Sequence, residues 1–357
     1  MRAAVLHGPD EIEVADVDHP QIADDEILVR VGANTLCGTD LRILRGEKTS
    51  GIDPPTILGH EFAGNVAEVG RDVHGFDVGA LVAMAPGVAC LRCFFCRHGR
   101  ENLCPNQKMM GYQYPGGLSE YVRVPATALE AGNVLVAEQE RPPEHLALAE
   151  PLSCCVNGQE RSRVGLDQTV LLLGAGPIGL MHLQLALLAG ARSVIVSEPA
   201  PKRRKLVGDM GASVVVDPTD GDLDEAVADA TGGLGPDVTI VCIGLPELMP
   251  DALRLTRPGG RVNVFAGLAG EGWSRVQANL IHYNELEITG TSACRREHYA
   301  TAFRLIETGR VDVQPLVTHR FALESIEEAM RASAEPEGIK VAVLPADGTG
   351  KPEQRAD

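Results

Sequence analysis

The segment Val170–Gly179 reads V-L-L-L-G-A-G-P-I-G, four apolar residues that run into a turn with three glycines. The apolar residues predict a buried parallel strand, and the apolar spacing of Leu180–Leu188 predicts a helix directly after the turn. Glycine-rich turns of other kinds show the same spacing by chance, but a strand, a G-x-G-x-x-G turn and a helix in this order are typical of dinucleotide binding. This stretch therefore predicts a dinucleotide-binding domain.

Each glycine of the turn has a separate predicted role. Gly174 permits the tight turn, Gly176 lets the backbone approach a pyrophosphate, and Gly179 lets the helix pack closely on the strand. The next predicted strand is Ser193–Ser197, and Glu198 follows it, about 20 residues after Gly179. A carboxylate at that position accepts hydrogen bonds from a ribose 2′-hydroxyl, which favours NAD as the cofactor.

Arg203 and Arg204, at the start of the next predicted helix, leave NADP as an alternative. Arginine side chains can bind the 2′-phosphate of NADP, although the carboxylate of Glu198 would repel that phosphate. The two arginines could also be a solvated helix start. We therefore predict NAD.

The sections on either side of this turn differ in their patterns. Near-continuous apolar strands alternate with helical stretches, which predicts a doubly wound α/β domain with a parallel sheet. Its further strands are predicted at residues 193–197, 213–217, 237–244, 261–267 and 286–292. Short amphipathic strands within residues 1–36, 76–85 and 116–125 indicate a β-rich domain before it. Beyond residue 295 we predict helices at Tyr299–Thr308 and Leu323–Ala332, strands at Thr318–Ala322 and Lys340–Leu344, and a disordered tail at 346–357.

The composition limits the possible functions. A chain of 357 residues is long enough for two domains, and its formal net charge of −17 disfavours nucleic-acid and anionic-membrane partners. Neither a membrane-length apolar run nor a cleavable leader is evident, so we expect a cytoplasmic protein. In that compartment nine cysteines indicate metal binding or catalysis before disulfides.

Four of the cysteines form a C-x2-C-x2-C-x7-C loop, at Cys90, Cys93, Cys96 and Cys104. Four thiolates so close in sequence can close a tetrahedral shell around zinc and leave no position for a substrate. The alternatives are a pair of disulfides or four free thiols. Three cysteines spaced three residues apart favour a turn around a metal, so we predict a structural zinc site.

A second group of possible metal ligands is dispersed in the sequence. Cys37, His60 and Glu61 lie in glycine-marked motifs of the β-rich region, and Glu150 lies near its end. A Cys/His/carboxylate set that leaves one position open is what a catalytic zinc site needs. Taken singly, however, a cysteine or histidine is more often a packing residue.

Five motifs together carry a resemblance to a known family. They are C-G-T-D at 37–40, G-H-E-F-A-G at 59–64, the four-cysteine loop, A-E-P-L-S at 149–153 and G-A-G-P-I-G at 174–179. In this order and spacing the chain resembles the zinc-dependent medium-chain dehydrogenases, especially their sorbitol (polyol) and threonine dehydrogenase branch. The resemblance implies a GroES-like catalytic domain at residues 1–155, completed by 295–345, around a Rossmann NAD-binding domain at 156–294. It also implies subunits that pair through their Rossmann domains, as a homodimer or homotetramer.

The resemblance further implies the ligands of a catalytic zinc ion, in addition to the structural zinc. The implied protein ligands are Cys37, His60 and Glu61. Glu150 would either bind the metal directly or hold its water. Cys154 or Cys155 remains an alternative third ligand, since alcohol dehydrogenases use a cysteine in this region.

The remaining implied roles concern the substrate and the cofactor. Thr39 would bond to the substrate oxygen and relay its proton, and Asp40 would orient His60. Zinc would polarise the alcohol oxygen while a hydride passes to the nicotinamide. The implied cofactor contacts are Gly174, Gly176, Pro177, Ile178, Gly179, Glu198, Arg203, Ala266, Leu268, Thr291 and Ala293.

Departures from the branch bear on the substrate. Sorbitol dehydrogenases hold the polyol with a tyrosine and an arginine, and Ile43 and Ala293 occupy the matching positions here, which argues against sorbitol itself. Tyr112, Gln113 and Tyr114 are candidates either for the wall of the substrate pocket or for core packing. Arg295 and Arg296 either bind an anionic or sugar-like group or form a solvated loop pair. We predict a small-molecule secondary alcohol, namely a polyol, cyclitol, sugar or amino alcohol. A ketone reductase that uses NADPH and a non-catalytic NAD- or zinc-binding sensor are the alternatives.

Overall fold

The structure, a computed structural model, describes residues 1–335 and 338–345. Its contacts divide the chain into two units. Unit 1 comprises Met1–Ser153 and the chain from Arg295 onward, and unit 2 comprises Cys154–Cys294. The predicted tail at 346–357 lies outside the described residues. No helix among the described residues is long and apolar enough to cross a membrane.

The helices and strands follow in three sections of the chain. The section up to residue 162 contains β1 (Arg2–Gly8), β2 (Glu11–Asp16), β3 (Ile27–Thr35), α1 (Gly38–Leu44), β4 (Thr56–Ile57), β5 (Glu61–Val69), β6 (Leu81–Met84), β7 (Gly87–Val88), α2 (Phe94–Arg97), β8 (Lys108–Met109), β9 (Tyr121–Val124), α3 (Ala126–Glu130), β10 (Val134–Val136), α4 (Pro143–Ala147) and α5 (Ala149–Ser162). The middle section contains β11 (Thr169–Leu173), α6 (Pro177–Leu188), β12 (Ser193–Ser197), α7 (Pro201–Asp209), β13 (Val214–Val216), α8 (Leu223–Thr231), β14 (Val238–Val241), α9 (Leu248–Leu255), β15 (Arg261–Val264), α10 (Ala278–Tyr283) and β16 (Glu287–Gly290). The last section contains α11 (Arg296–Glu307), β17 (Val317–Ala322), α12 (Ile326–Ala334) and β18 (Lys340–Leu344). Short 3-10 turns occupy Glu101–Leu103, Gln314–Leu316 and Leu323–Ser325.

Unit 1 is built on a seven-stranded sheet in the order β10-β6-β5-β3-β18-β17, with β9 also paired to β3. All pairs in it are antiparallel except β17 with β18. Alternate residues of β3 pack into one apolar core because side chains alternate between the two faces of a strand. Ile27, Val29 and Val31 lie there with Val66 and Val82. A three-stranded sheet, β2-β1-β4, and the pair β7-β8 complete the unit.

Unit 2 is a six-stranded sheet in the order β13-β12-β11-β14-β15-β16, and every pair in it is parallel. All five residues of β11 are buried, which is why residues 170–173 form an unbroken apolar run. The sheet order changes direction at β11, and in such sheets ligands bind at the carboxyl ends of the strands beside that point. The doubly wound parallel sheet predicted from the alternating pattern is therefore present.

Two predicted strands of unit 1 are shorter than their apolar patterns, and the strands predicted at 237–244, 261–267 and 286–292 of unit 2 are also shorter than their predicted ranges. Within 76–85 only β6 is a strand, because Gly79 adopts a φ of 90° and forms a bend. Within 116–125 only β9 is a strand, because the backbone N–H groups of residues 116–118 bond to carbonyls of 57–59. The assignment of unit 1 as the catalytic domain and of unit 2 as the NAD-binding domain stays a prediction.

Candidate metal and cofactor sites

A pair of neighbouring strands in unit 1 brings the predicted zinc ligands together. β3 ends at Thr35, which lies opposite Glu61, the first residue of β5. Cys37 therefore follows one strand end while His60 precedes the facing strand. One donor atom from each of Cys37, His60 and Glu61 lies within 4.8 Å of the others. A thiol, an imidazole and a carboxylate at these separations fit a zinc ion.

Asp40 organises this cluster from the first turn of α1. The backbone N–H of Cys37 donates to Asp40 Oδ2 at 2.9 Å, and Asp40 Oδ1 lies 3.4 Å from Nδ1 of His60. Both side chains are buried, and Oδ1 and Nδ1 have no other hydrogen-bond partner. Because Nδ1 of His60 faces the carboxylate, Nε2 is the ring nitrogen that remains for a metal, in the arrangement common to metal-bound histidines.

The His60 imidazole has a strongly shifted pKa. Burial lowers it, but the charge of Asp40 and its contact with the ring, with a further contribution from Cys37, raise the His60 pKa well above its usual value.

Glu61 is engaged by two neighbours as well as lying in the cluster. Lys340, at the start of β18, donates to Glu61 Oε1 at 2.7 Å and also bonds to Oε2. Thr35 Oγ1 donates to Oε2. Nζ of Lys340 also donates to the carbonyl of Leu36, the residue before Cys37, at 3.0 Å. Lys340 is a site residue that the sequence motifs do not indicate, although a lysine that opens the otherwise apolar strand K-V-A-V-L requires a buried partner.

Of the three possible pocket residues after the cysteine loop, only Tyr112 borders the cluster. Its ring meets the ring of His60 edge-on, with centroids 5.6 Å apart, and Lys48 Nζ lies 5.2 Å from its centroid. Burial raises the pKa of the Tyr112 phenol. Tyr114 instead packs against the β3 core, and Gln113 bonds to the backbone of Met109 and Gly51.

Glu150 lies in the first turn of α5 and is half-buried. Burial raises the pKa of Tyr112 and the charge of Glu61 raises the pKa of Lys340, and the charge of Glu150 adds a smaller upward contribution to each pKa. Among the described residues, Glu150 does not belong to the group of Cys37, His60 and Glu61, whose donor atoms lie within 4.8 Å of one another. Cys154 and Cys155 belong to unit 2.

The four cysteines of the predicted structural site also converge. One sulfur atom from each of Cys90, Cys93, Cys96 and Cys104 lies within 4.8 Å of the others, and all four are free thiols. A hydrogen bond from the backbone of Arg92 lowers the pKa of Cys90 to about 6, whereas burial and the Cys93 thiol raise the pKa of Cys96. Crowded thiols oppose each other's ionisation, and a divalent cation reverses that opposition, so this donor set fits zinc.

Arg295 and Arg296 contact the chain next to the cysteine loop. Arg296 donates from its backbone to Glu101 Oε1 at 3.1 Å, and its guanidinium bonds to Glu101 and to the carbonyl of Ala131. Arg295 bonds to His298 and to the carbonyl of Gly99. Both arginines thus fasten the start of α11 to the cysteine loop, and neither forms a solvated loop pair.

In unit 2 the glycine turn has the geometry that the sequence predicts. Gly174 has a φ of 105°, which favours glycine. A Cβ on Gly179 would lie 2.0 Å from the carbonyl oxygen of Gly174, so the helix and the turn pack too closely for any side chain. A Cβ on Gly176 would come no closer than 3.9 Å to any atom, and that atom is Nη1 of Arg203. The backbone at Gly176 is therefore open to a ligand.

Glu198 is buried beside this turn. Its Oε2 accepts from the backbone N–H of Ala175 at 2.7 Å, and its Oε1 accepts from that of Ala200 at 2.9 Å. Arg204 is paired with Asp217 at 2.8 Å and donates to the carbonyl of Glu198. The carboxylate thus supports the turn itself, a role that its position in the sequence did not indicate.

The other predicted cofactor residues follow the carboxyl ends of neighbouring parallel strands. Ala266 and Leu268 come after β15, and Thr291 and Ala293 come after β16. Thr291 bonds to Asn263 at 3.1 Å, and the carbonyl of Ala293 accepts from Asn157 at 2.8 Å. Pro177 and Ile178 open α6. All of them belong to the strand ends where ligands bind in parallel sheets.

Comparison with known proteins identifies the family. Residues 23–131 match the family described as alcohol dehydrogenase GroES-like domain, and residues 177–308 match the one described as zinc-binding dehydrogenase. L-threonine 3-dehydrogenase of Pyrococcus abyssi is 36% identical over 321 residues, 89% of this chain and 90% of that protein. Sorbitol dehydrogenase of Bacillus subtilis is 32% identical over 350 residues, 97% of each protein.

A solved structure supports the same assignment. A zinc-binding dehydrogenase of Sinorhizobium meliloti 1021 with NADP bound is similar at a TM-score of 0.90 and 35% identity, over 96% of this chain and 99% of that chain. The predicted fold class, a GroES-like domain with a Rossmann domain, is confirmed. The chain therefore belongs to the zinc-dependent medium-chain dehydrogenase family, in the branch that contains the sorbitol and threonine dehydrogenases.

Proposed function

We propose that the protein interconverts a secondary alcohol and its ketone, with NAD as the hydride acceptor and zinc at the cluster of Cys37, His60 and Glu61. The main support is the cluster itself, three donor atoms within 4.8 Å of one another, with Asp40 facing the second nitrogen of His60. A sensor that only bound NAD would need neither this donor set nor a hydroxyl residue two positions after Cys37.

When bound, zinc supplies Lewis acidity at the alcohol oxygen and the nicotinamide accepts the hydride. Residues of the chain then hold the metal and move the proton. Thr39 is half-buried two residues after Cys37, where its hydroxyl would accept the alcohol proton and pass it outward. Asp40 keeps His60 oriented, and Glu150 would hold a water or complete the ligand set.

A second zinc ion at Cys90, Cys93, Cys96 and Cys104 would be structural. Four thiolates fill a tetrahedral shell, so no position remains for a substrate. The bonds from Arg296 to Glu101 then connect this loop to the start of α11. Its role in the reaction is therefore to keep unit 1 folded.

NAD is the proposed cofactor because Glu198 places a buried negative charge beside the glycine turn. That charge would repel the 2′-phosphate of NADP, and Arg204 is already paired with Asp217. An NADPH-linked ketone reductase is the second candidate. Arg203 near Gly176 and the NADP in the Sinorhizobium structure favour it.

The proposed substrate is a polyol, cyclitol, sugar or amino alcohol. Named relatives act on threonine and sorbitol, which both have a secondary hydroxyl group with a polar group on a neighbouring carbon. Ile43, at the position of the polyol-holding tyrosine, is buried in an apolar core and offers no hydrogen bond. Tyr112 beside His60 is the proposed pocket wall.

The test combines metal analysis with a substrate panel. We expect two zinc ions per chain, and NADH production from at least one class among polyols, cyclitols, sugars and amino alcohols. Each substrate is assayed with NAD and with NADP, in both directions. No turnover with any class in the zinc-loaded protein would contradict the proposed function, and a preference for NADPH would favour the reductase.

We also propose that the chain forms a homodimer or homotetramer through unit 2. β16 is the edge strand of the parallel sheet, and most of its residues are exposed. Trp273 and Tyr283 precede it and are 80% and 76% exposed, which is unusual for large aromatic side chains. Light scattering should give at least a dimer, and Trp273→Asp should shift it toward the monomer. A monomeric wild-type protein would refute this proposal.

A further inference from the structure

One buried ammonium group links both polypeptide segments that carry the predicted zinc ligands. Lys340 bonds to both carboxylate oxygens of Glu61, the neighbour of His60, and to the carbonyl of Leu36, the neighbour of Cys37. Lys340 is 4% exposed and Glu61 is fully buried. No other lysine among the described residues makes such a buried ion pair. The contact joins residues 279 positions apart in the sequence.

The strand pairing explains how Lys340 reaches both segments. β18 lies beside β3 in the sheet, and the N–H of Leu36 bonds to the carbonyl of Val341 at 2.9 Å. β5 lies on the other side of β3. From the start of β18 the lysine side chain therefore extends past the end of β3 to the first residue of β5.

The contact between Lys340 and Glu61 also affects the net charge of the predicted metal centre. A thiolate from Cys37 and the carboxylate of Glu61 would together neutralise a divalent ion, with His60 neutral. Lys340 adds one positive charge next to that set. A metal centre with residual positive charge binds an anionic oxygen more tightly than a neutral centre does.

We propose that Lys340 is a positioning residue of the catalytic metal centre. It holds Glu61 and the backbone before Cys37 so that the donor atoms converge before the metal arrives. Preorganised ligands bind a metal more tightly because less order has to be created on binding. The inference rests on the proposed function, because it assumes that zinc binds at Cys37, His60 and Glu61.

A double-mutant cycle on zinc affinity tests the inference. The variants are Lys340→Met, which keeps most of the length of the side chain without its charge, Glu61→Gln, and the two combined. Zinc affinity is measured by competition with a chelator, and Co²⁺ absorption spectra report the ligand geometry. The four-cysteine site in the same chain is the internal control.

We expect Lys340→Met to weaken zinc binding at the Cys37 site at least tenfold and to change the Co²⁺ spectrum, with the four-cysteine site unchanged. In the Glu61→Gln background the same substitution should have less than a third of that effect. Should Lys340→Met fail to fold alone, the combined variant leaves no unpaired buried charge and is compared directly with Glu61→Gln. A large further loss of zinc affinity in that comparison would overturn the proposal.

Two other outcomes separate the inference from the proposed function. If Lys340→Met retains wild-type zinc affinity and the wild-type Co²⁺ spectrum, Lys340 does not position the metal centre and the inference is wrong. If the wild-type protein and Cys37→Ser bind the same amount of zinc, the proposed function is wrong as well. Thermal unfolding of the metal-free variants shows whether a loss of zinc affinity merely follows a loss of folding.

Discussion

The two glycines at the start of α6 should respond differently to the same substitution. In Gly179→Ala the new Cβ would lie 2.0 Å from the carbonyl oxygen of Gly174, so the turn and the helix must move apart by about 1 Å. Overpacking of this kind costs about 1–3 kcal/mol, which lowers the Tm of the nucleotide-free, metal-loaded protein by about 2–12 °C. NADH binding should weaken too, because the helix N-terminus that binds the phosphates is displaced.

Gly176→Ala should leave the fold intact and affect only the cofactor. Gly176 has a φ of −66° and a ψ of −174°, which alanine adopts without strain, and its Cβ would have 3.9 Å of clearance. The Tm should therefore stay unchanged or rise slightly, since alanine restricts the unfolded chain. A methyl group where the pyrophosphate approaches should weaken NADH binding about tenfold, or about 1.4 kcal/mol.

Two measurements on the metal-loaded protein distinguish these outcomes. Thermal unfolding without cofactor gives the stability, and titration of NADH fluorescence gives the affinity. Gly165→Ala is the control, because a Cβ at this position of unit 2 meets no atom within 4 Å. Wild-type Tm and affinity in Gly179→Ala would refute the close packing of turn and helix. An equal loss of Tm in Gly176→Ala would refute the proposal that Gly179 serves packing and Gly176 serves cofactor binding.

Three further predictions concern the metal, the cofactor preference and the pH dependence of stability. Cys37→Ser should abolish turnover and reduce the zinc content from two ions to one, while NADH binding remains; unchanged activity would reject the catalytic metal site. Glu198→Ala should reduce the preference for NAD over NADP, measured as the ratio of kcat/KM values, and should lower the Tm because Ala175 and Ala200 lose their acceptor. Burial lowers the pKa of His182 from 6.5 to about 3. As the pH falls, His182 therefore binds a proton in the unfolded chain before it does so in the folded protein. The free energy of unfolding decreases as the pH drops from 6.5 to about 3. Between pH 7 and pH 5 the protonation of His182 alone should remove ~2 kcal/mol of unfolding free energy. When unfolding free energies are measured with urea at both pH values, His182→Leu should lack this part of the pH dependence.

The sequence predicts most of the fold and the members of the metal cluster. The apolar run of β11 and the glycine turn identify the parallel sheet because a strand covered on both faces must be apolar throughout. The roles of Gly174 and Gly179 also follow from spacing alone, since only one short turn connects the strand to the helix. Residue type and glycine-marked motifs indicate Cys37, His60 and Glu61 as possible ligands, but only the family resemblance connects Cys37 with the distant pair His60 and Glu61 as one predicted site.

Other contacts could not be predicted because they depend on how distant segments pack. Lys340 meets Glu61 only because β18 inserts beside β3, and no local pattern indicates that pairing. Tyr112 and Tyr114 have similar surroundings in the sequence, yet one borders His60 and the other enters a core. The sequence is compatible with either an anion-binding or a solvated Arg296, because no local pattern indicates its bonds to the distant Glu101.

The insertion of unit 2 between the two parts of unit 1 has a consequence for synthesis on the ribosome. The seven-stranded sheet needs β17 and β18, which are translated after the whole of Cys154–Cys294. Unit 2 is contiguous and can fold as soon as it has left the exit tunnel, because domains generally fold as units during translation. The N-terminal strands of unit 1 have to wait for their last partners. We expect nascent chains that end before residue 340 to carry a folded nucleotide-binding unit and an immature metal centre.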